Sequence, residues 1–261
     1  GAGAGGIGVG RQILVGLQRQ GMSRADALAR VLMVDSKGLI LSDRSGLEPY
    51  KLELAQDPSR VAGWQFAGSV PTLLETAVNA KATGLIGLSG QAGAFDQAVV
   101  GAVMANSPTP IVFPLSNPTV NGEAVPEDLY AWSGGRAIVA TGSPFPSVEH
   151  GGHSYAVGQG NNAFIFPGLG LGTLVAGASK VTDNMLTAAA EALSEYTDPA
   201  RLLEGAVYPR ISKLGRASKQ VAGAVVKQAL EDGVARNEPD DPVEAVDEAM
   251  WQPRYLPIRK A

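Results

Sequence analysis

The first six residues constrain this chain most. Gly1-Ala2-Gly3-Ala4-Gly5-Gly6 reads Gly-x-Gly-x-x-Gly and runs into Ile7, Val9, Ile13, Leu14 and Leu17, apolar at helical spacing. A dinucleotide site needs this order of parts. A tight turn leaves a strand, the backbone comes close to a pyrophosphate, and a helix N-terminus points its unsatisfied N–H groups at the anion. Side chains would block that approach, so glycine is required at particular steps. The motif should follow a strand, and here the sequence opens on the turn. The expectation is therefore a fragment that lacks its first strand, the other reading being an accidental match.

The rest of the chain bears on that choice. Helix is expected from about Ile7 to Gln20, with Gly21 as its stop, then from Arg24 to Arg30 behind Ser23 as cap. Val31 to Asp35 reads as the second strand of a nucleotide unit, with Asp35 at its tip. In the common fingerprint that acid meets the adenine ribose. A turn former beside Gly38 is the alternative. Ser69 or Thr72 caps a helix over residues 73–81. Further strands are expected at residues 84–88, 110–115 and 136–140, with helices over 95–105 and after Pro126. These strands are apolar runs rather than alternating ones, and they interleave with helices. That marks a parallel sheet covered on both faces. The expected class is α/β, a Rossmann-like doubly wound parallel sheet with a helical C-terminal extension.

Ligands bind such sheets at the C-terminal strand ends. Asp35, Ser89-Gly90, Ser116-Asn117 and Thr141-Gly142-Ser143 all fall there. Residues 150–155 read as a polar hairpin or loop. Gly158-Gln159-Gly160-Asn161-Asn162 follows, with glycines shaping the backbone so as to aim the amides. The helix expected over residues 164–178 carries Gly168, Gly170, Gly172 and Gly177, which cost helix propensity. Close packing must offset that cost. Thr182 caps residues 183–196, a long helix spans about 213–232, and a short one ends at Met250 before Trp251-Gln252-Pro253-Arg254-Tyr255.

Composition excludes several classes. Net charge is −4, which argues against a general nucleic-acid partner. There are no cysteines, so disulfides and thiolate metal sites are ruled out, in keeping with a reducing, cytoplasmic setting. No run of about 18 apolar residues is present, so no membrane span is expected.

Taken together, six motifs in order resemble the NAD-binding domain of malic enzymes over nearly all of residues 1–261. They are Gly1-Ala2-Gly3 with Gly6; Val34-Asp35-Ser36-Lys37-Gly38-Leu39; Gly87-Leu88-Ser89-Gly90-Gln91; Phe113-Pro114-Leu115-Ser116-Asn117-Pro118-Thr119; Ala140-Thr141-Gly142-Ser143-Pro144-Phe145; and Gly158-Gln159-Gly160-Asn161-Asn162. Phe166-Pro167-Gly168 and Met250-Trp251 also match. The resemblance implies oxidative decarboxylation of malate to pyruvate and CO2, with hydride passing to NAD or NADP and a Mg or Mn ion polarising the carbonyl. It implies that Gly1, Ala2, Gly3, Ala4 and Gly6 hold the cofactor phosphates and that Asp35 and Ser36 lie at the adenine ribose. Ser89 and Gly90 would line the nicotinamide side, and Asn117 and Asn161 would offer amides to malate. For both asparagines a plain turn role is the alternative. A homo-oligomer, dimer or tetramer, is implied as well.

The departure is the absence of the family's tyrosine–lysine acid–base pair and acidic metal ligands, which lie upstream of the glycine motif. This chain alone is expected to be inactive. Asp240-Asp241 and Glu127-Asp128 read as solvated surface, and His150 and His153 as loop residues. Lys51, with Arg44 in support, favours NADP over NAD. Two other readings stand beside this one: an amino-acid dehydrogenase cofactor domain, and a non-catalytic nucleotide-binding or regulatory module.

Overall fold

The computed structural model describes residues 1–251, so the expected Gln252–Tyr255 tail lies outside the described residues. The described residues form two compact units, residues 1–161 with 198–208, and residues 162–197 with 209–251.

The first unit opens on α1 (Ala4–Arg19), which ends at Gln20 before Gly21, whose φ of +90° only glycine adopts readily. Next come α2 (Arg24–Arg30), β1 (Val34–Asp35), β2 (Gly38–Leu39) and α3 (Pro49–Leu52). Ser23 caps α2 by accepting from the Asp26 N–H at 3.1 Å. Then follow α4 (Leu73–Asn79), β3 (Gly84–Gly87), α5 (Gln97–Met104), β4 (Ile111–Pro114), α6 (Pro126–Ser133) and β5 (Ile138–Thr141). Of the two cap candidates for α4, Thr72 is the one used, in a reciprocal capping box with Glu75. A hairpin of β6 (Val148–His150) and β7 (His153–Tyr155) turns through Gly151 and Gly152, and β8 (Gly158–Gln159) closes the sheet.

The sheet is four-stranded and parallel, in the order β3-β4-β5-β8. Gly84 pairs with Ile111, Ile111 with Ile138, and Ala140 with Gly158. Leu85, Val112 and Val139 pack with Val99, Val100 and Val103 of α5 and with Leu129 and Tyr130 of α6. Each fully buried aliphatic side chain of this kind contributes about 1.5–3 kcal/mol of transfer free energy. A second core joins Ile7 and Leu14 of α1 to Ala27, Met33, Ile40 and Leu54. The architecture is α/β and Rossmann-like, as the alternation of apolar runs and helices requires.

One strand differs from expectation. Residues 31–35 do not join the parallel sheet. Only Val34 and Asp35 are paired, antiparallel to Gly38 and Leu39. The short pairing is local: Asp35 accepts from the Lys37 N–H at 2.9 Å, and Gly38 takes a φ of +107°, which folds the chain back on itself. On the other side, among the described residues, no strand edge of the parallel sheet lies within pairing distance. Leu32 and Val34 instead line a cleft of about 790 Å³ whose opposite wall is Gly84–Ile86 and Leu88. The two-residue strand β8 was not anticipated either, since Gly158-Gln159 has no apolar run.

The second unit contains α7 (Phe166–Val175) and α8 (Asp183–Tyr196), the latter capped by Thr182. The chain returns to the first unit for α9 (Pro199–Leu203), then completes the second with α10 (Leu214–Glu231) and α11 (Pro242–Ala249). Phe164, Met185, Val221, Val225, Val226 and Val246 form its core. Gly168 and Gly172 of α7 face α10 so closely that a Cβ on either would lie 2.6 Å from its atoms. Close packing thus offsets two of the four glycines; Gly170 meets nothing within 4 Å, and Gly177 lies past the end of α7 at a φ of +55°. No helix among the described residues is long and apolar enough to cross a membrane.

Candidate dinucleotide site

The glycine turn forms as its sequence demands. A Cβ on Gly6 would fall 1.6 Å from the Gly1 carbonyl oxygen, and one on Gly1 would fall 2.5 Å from the Leu88 carbonyl oxygen. These two glycines let the turn fold onto the start of α1 and against the tip of β3. Gly3 is the N-cap of α1, and no side chain caps the helix. The first-turn N–H groups are thus left for an external acceptor, at the positive end of a 16-residue helix dipole.

A pocket of about 600 Å³ lies against this turn. Gly1, Ala2 and Gly3 line it together with Asp35, Ser36 and Lys51, and with Gly87, Leu88, Ser89 and Gln91 from the tip of β3. The structure therefore gathers seven of the residues singled out for the cofactor around one space. Gly6 lies behind the turn, lining the neighbouring cleft. Ala4 and Gly90 are not in the pocket wall; Ala4 starts α1, and the Gly90 N–H is turned to Ser116.

The charges around Asp35 are paired. Arg44 makes a two-armed contact with the Asp35 carboxylate, Nη1 donating to Oδ1 at 3.0 Å and Nη2 to Oδ2. Burial pushes the Asp35 carboxyl up, but hydrogen bonds from Arg44 and from the Lys37 N–H outweigh it and hold it below the usual range. Lys51 sits 2.8 Å from the Glu48 carboxylate, which holds its ammonium above the usual range. The two cations behind the NADP expectation are thus each engaged by a carboxylate.

A residue missed in sequence lies under the tips of β3 and β4. Glu123 is fully buried. Its Oε1 accepts from the Ser89 N–H at 2.8 Å, the Ser89 hydroxyl at 2.7 Å and the Ser116 hydroxyl at 2.6 Å. Its Oε2 accepts from the Ser116 N–H at 3.3 Å. It is not singled out in sequence, where it stands in a polar stretch between Pro118 and Pro126. One hint was Gly87, a glycine inside an apolar strand, where a Cβ would meet the Glu123 carboxyl carbon at 2.4 Å.

The two malate candidates stand at neighbouring strand ends, outside the pocket wall. Asn117 follows β4. Its Oδ1 accepts from the Ser143 hydroxyl at 2.7 Å, so its Nδ2 is the group left to donate outward. Asn161 follows β8, where Gly160 donates to the Thr141 carbonyl at 2.8 Å and Gln159 Nε2 donates to the Gly142 carbonyl at 3.0 Å. Gly160 approaches Leu115 closely enough that a Cβ would lie 2.9 Å from its Cδ2. Asn117 and Asn161 therefore flank the tip of β5 on the same edge of the sheet. His150 and His153 face each other across the β6–β7 hairpin, and His153 packs edge-on to Tyr155 at 4.6 Å. Asp241 caps α11, and Glu127 and Asp128 sit in the first turn of α6. No cluster of three or more His, Asp or Glu among the described residues is placed to hold a metal ion.

Comparison with known proteins agrees with this geometry. Residues 1–230 match the family model described as "Malic enzyme, NAD binding domain". A relative from Acinetobacter baylyi named NAD-dependent malic enzyme is 42% identical over 256 residues, covering 98% of this chain and 45% of that protein. One of the same name from Escherichia coli (strain SMS-3-5 / SECEC) is 40% identical over 261 residues, covering 100% of this chain and 46% of that protein. Among solved structures, the malic enzyme of Entamoeba histolytica superposes with a TM-score of 0.66 at 28% identity, over 84% of this chain and 40% of that one. That of Pyrococcus horikoshii gives 0.62 at 25% identity, over 84% and 45%. The chain spans about half the length of the relatives it matches. Its glycine turn, its pocket and these matches point the same way, and the chain belongs to the malic-enzyme NAD-binding domain family.

Proposed function

We propose that the protein to which this chain belongs converts malate to pyruvate and CO2 with reduction of NAD, and that residues 1–251 supply the dinucleotide site and part of the malate site. The observation that carries this reading is the pocket in which an uncapped helix N-terminus, a strand-tip carboxylate and the tip of β3 meet. The cradle fits a dinucleotide, since Gly1 and Gly6 leave no room for a Cβ and the first turn of α1 has no side-chain cap. When bound, NAD takes the hydride released from C2 of malate. The chain's own residues bind and orient. Amides of the Gly3–Gly6 turn hold the pyrophosphate, and the Asp35 carboxylate accepts from a ribose hydroxyl. Ser36 keeps that corner small. The Asn117 Nδ2, with its amide oriented by Ser143, donates to a malate carboxylate, and Asn161 supplies a second amide.

The same reading places the acid–base pair and the ligands for a divalent cation upstream of Gly1, in the part of the protein that the relatives' length provides for. It also places an extended strand in the cleft between residues 31–34 and β3, where two backbone edges face each other. A cytoplasmic homo-oligomer completes the picture. Exposed Phe166 and Leu174 on α7 offer apolar surface for contacts of that kind. The intact protein, given malate, NAD and Mg or Mn, is expected to form NADH and pyruvate in equal amounts. NAD reduction without pyruvate, or no reduction at all, would sink the reading.

NAD rather than NADP is favoured by the charge pairing as well as by the relatives' names. A 2′-phosphate carries close to two negative charges and would have to draw Arg44 from Asp35 and Lys51 from Glu48. Lys51→Gln is expected to leave NAD kinetics within about two-fold and to lower the residual use of NADP by about five-fold, the scale of one partly exposed charge contact. Kinetics with both cofactors test this. An unchanged NADP constant would remove Lys51 from the ribose corner.

A further inference from the structure

We propose that Glu123 is a positioning residue of the dinucleotide site, tying the tips of β3 and β4 into one wall through a carboxylate-centred network. This rests on the dinucleotide reading of the pocket that Ser89 and Gln91 line.

The argument follows the protons. A serine hydroxyl has one hydrogen to give and two lone pairs to accept with. The Ser89 and Ser116 hydroxyls both give their hydrogen to Glu123 Oε1. Their oxygens are then free only to accept, and each does so from the β3 tip. Ser116 Oγ accepts from the Gly90 N–H at 2.9 Å, and Ser89 Oγ accepts from the Gln91 N–H at 3.1 Å. The Ser89 N–H goes to Glu123 directly. Three successive backbone N–H groups are therefore tied to one buried carboxylate, that of Ser89 directly and those of Gly90 and Gln91 through a serine hydroxyl.

Two consequences follow. The β3 tip has none of these three N–H groups left for an anion, so phosphate recognition falls to the start of α1. The tip serves instead as a fixed wall for an uncharged part of the ligand. Second, an amide at position 123 could not replace the carboxylate. A glutamine oxygen could keep the Oε1 contacts only with its NH2 facing the Ser116 N–H, donor against donor, so the amide must swing away and give up those contacts too. Burial pushes the Glu123 carboxyl up, yet hydrogen bonds from Ser116 and Ser89 hold it below the usual range, so it is charged at neutral pH. A buried carboxylate is costly to desolvate and is tolerated where hydrogen bonds compensate it as fully as here. Its own backbone is anchored too, the Glu123 carbonyl accepting from the Phe95 N–H at 2.9 Å.

The test uses the intact protein and two readouts, NAD binding by calorimetry and amide hydrogen exchange at residues 89–91. Glu123→Gln is expected to raise the NAD Kd by about ten-fold, the size of one charge-assisted hydrogen bond, and to speed exchange at those amides. Ser116→Ala, which cuts only the link from Glu123 to the Gly90 N–H, is expected to raise the Kd by about three-fold. Because both act along one path, the double variant should bind no more weakly than Glu123→Gln alone. A wild-type Kd in folded Glu123→Gln, or strictly additive penalties, would overturn the proposal. If Glu123→Gln does not fold, Ser116→Ala decides: a raised Kd with faster exchange at Gly90 supports the role, and wild-type values overturn it. Should the wild-type protein bind no NAD, the dinucleotide reading falls, and exchange at residues 89–91 still reports whether Glu123 holds the tip.

Discussion

Gly6→Ala is expected to abolish measurable NAD binding, with a loss of about 100-fold or more, while Gly5→Ala one residue away leaves the affinity within about two-fold. The contrast is geometric. A methyl on Gly6 would sit 1.6 Å from the Gly1 carbonyl oxygen and 2.8 Å from its carbonyl carbon. Both are backbone atoms, so no side chain can swing aside. The turn itself must open. Opening it moves the Gly1–Gly3 backbone away from the start of α1 and takes the first-turn amides out of register with one another. Several anion contacts are lost at once, each of roughly 1.5–3 kcal/mol, which exceeds the 2.7 kcal/mol or so that 100-fold represents. A Cβ at Gly5 meets nothing within 4 Å, and alanine favours helix over glycine by about 1 kcal/mol. Circular dichroism of both variants should match the wild type, since the core under α1, with Ile7 and Leu14, is untouched. Equal affinities for NAD in the two variants would show that the turn is not the phosphate site.

Much of this was legible in sequence because it is local. A capping serine or threonine, a glycine stop and an apolar run act within a few residues. Thr182 before Asp183–Tyr196 and Ser23 before Arg24–Arg30 stand where the pattern puts them. The convergence of Gly1, Asp35 and Ser89 was also expected from the strand-end rule for parallel sheets, although of the three only Ser89 follows a strand of the parallel sheet here.

What was not legible depends on who partners whom. Position alone does not say that Arg44 pairs with Asp35 and Lys51 with Glu48, yet those pairings decide which charge a ribose phosphate would meet. Residues 31–35 have the composition of a sheet strand. Pairing, however, needs an adjacent edge, and the Asp35–Gly38 turn supplies only a two-residue antiparallel one. Glu123 was hidden for the opposite reason. A carboxylate in a polar loop is usually solvated, and nothing in the local sequence says that Ser89, 34 positions earlier, comes down to cover it. The signal was split between Gly87 and the two serines, and each has an innocent explanation alone.

The helical unit offers the second large effect, and here one substitution changes sign within two residues. Gly170 and Gly172 both lie inside α7, so replacing either by alanine gains the same helix propensity, about 1 kcal/mol. At Gly170 nothing lies within 4 Å of the new methyl, and that gain should appear undiminished as higher stability. At Gly172 the methyl would lie 2.6 Å from the Ala222 carbonyl oxygen and 2.7 Å from Val225 Cβ, both on α10. Neither can rotate away, because one is backbone and the other is the stiff branch point of a valine. α7 must then lift from α10, spoiling the contact with Val221 and Val225 at the centre of that core. Overpacking of this kind costs about 1–3 kcal/mol, and loosening a well-packed contact adds to it. The clash therefore outweighs the propensity, with a net loss of about 2 kcal/mol at Gly172 against a gain of about 1 kcal/mol at Gly170. Urea unfolding of the two variants beside the wild type measures both signs, since a change in midpoint at constant slope reports stability directly. A rise at both positions would mean that the two helices do not approach as closely as the glycines allow. A fall at both would mean that the outer face of α7 is covered in the intact protein, so that Gly170 too meets a partner.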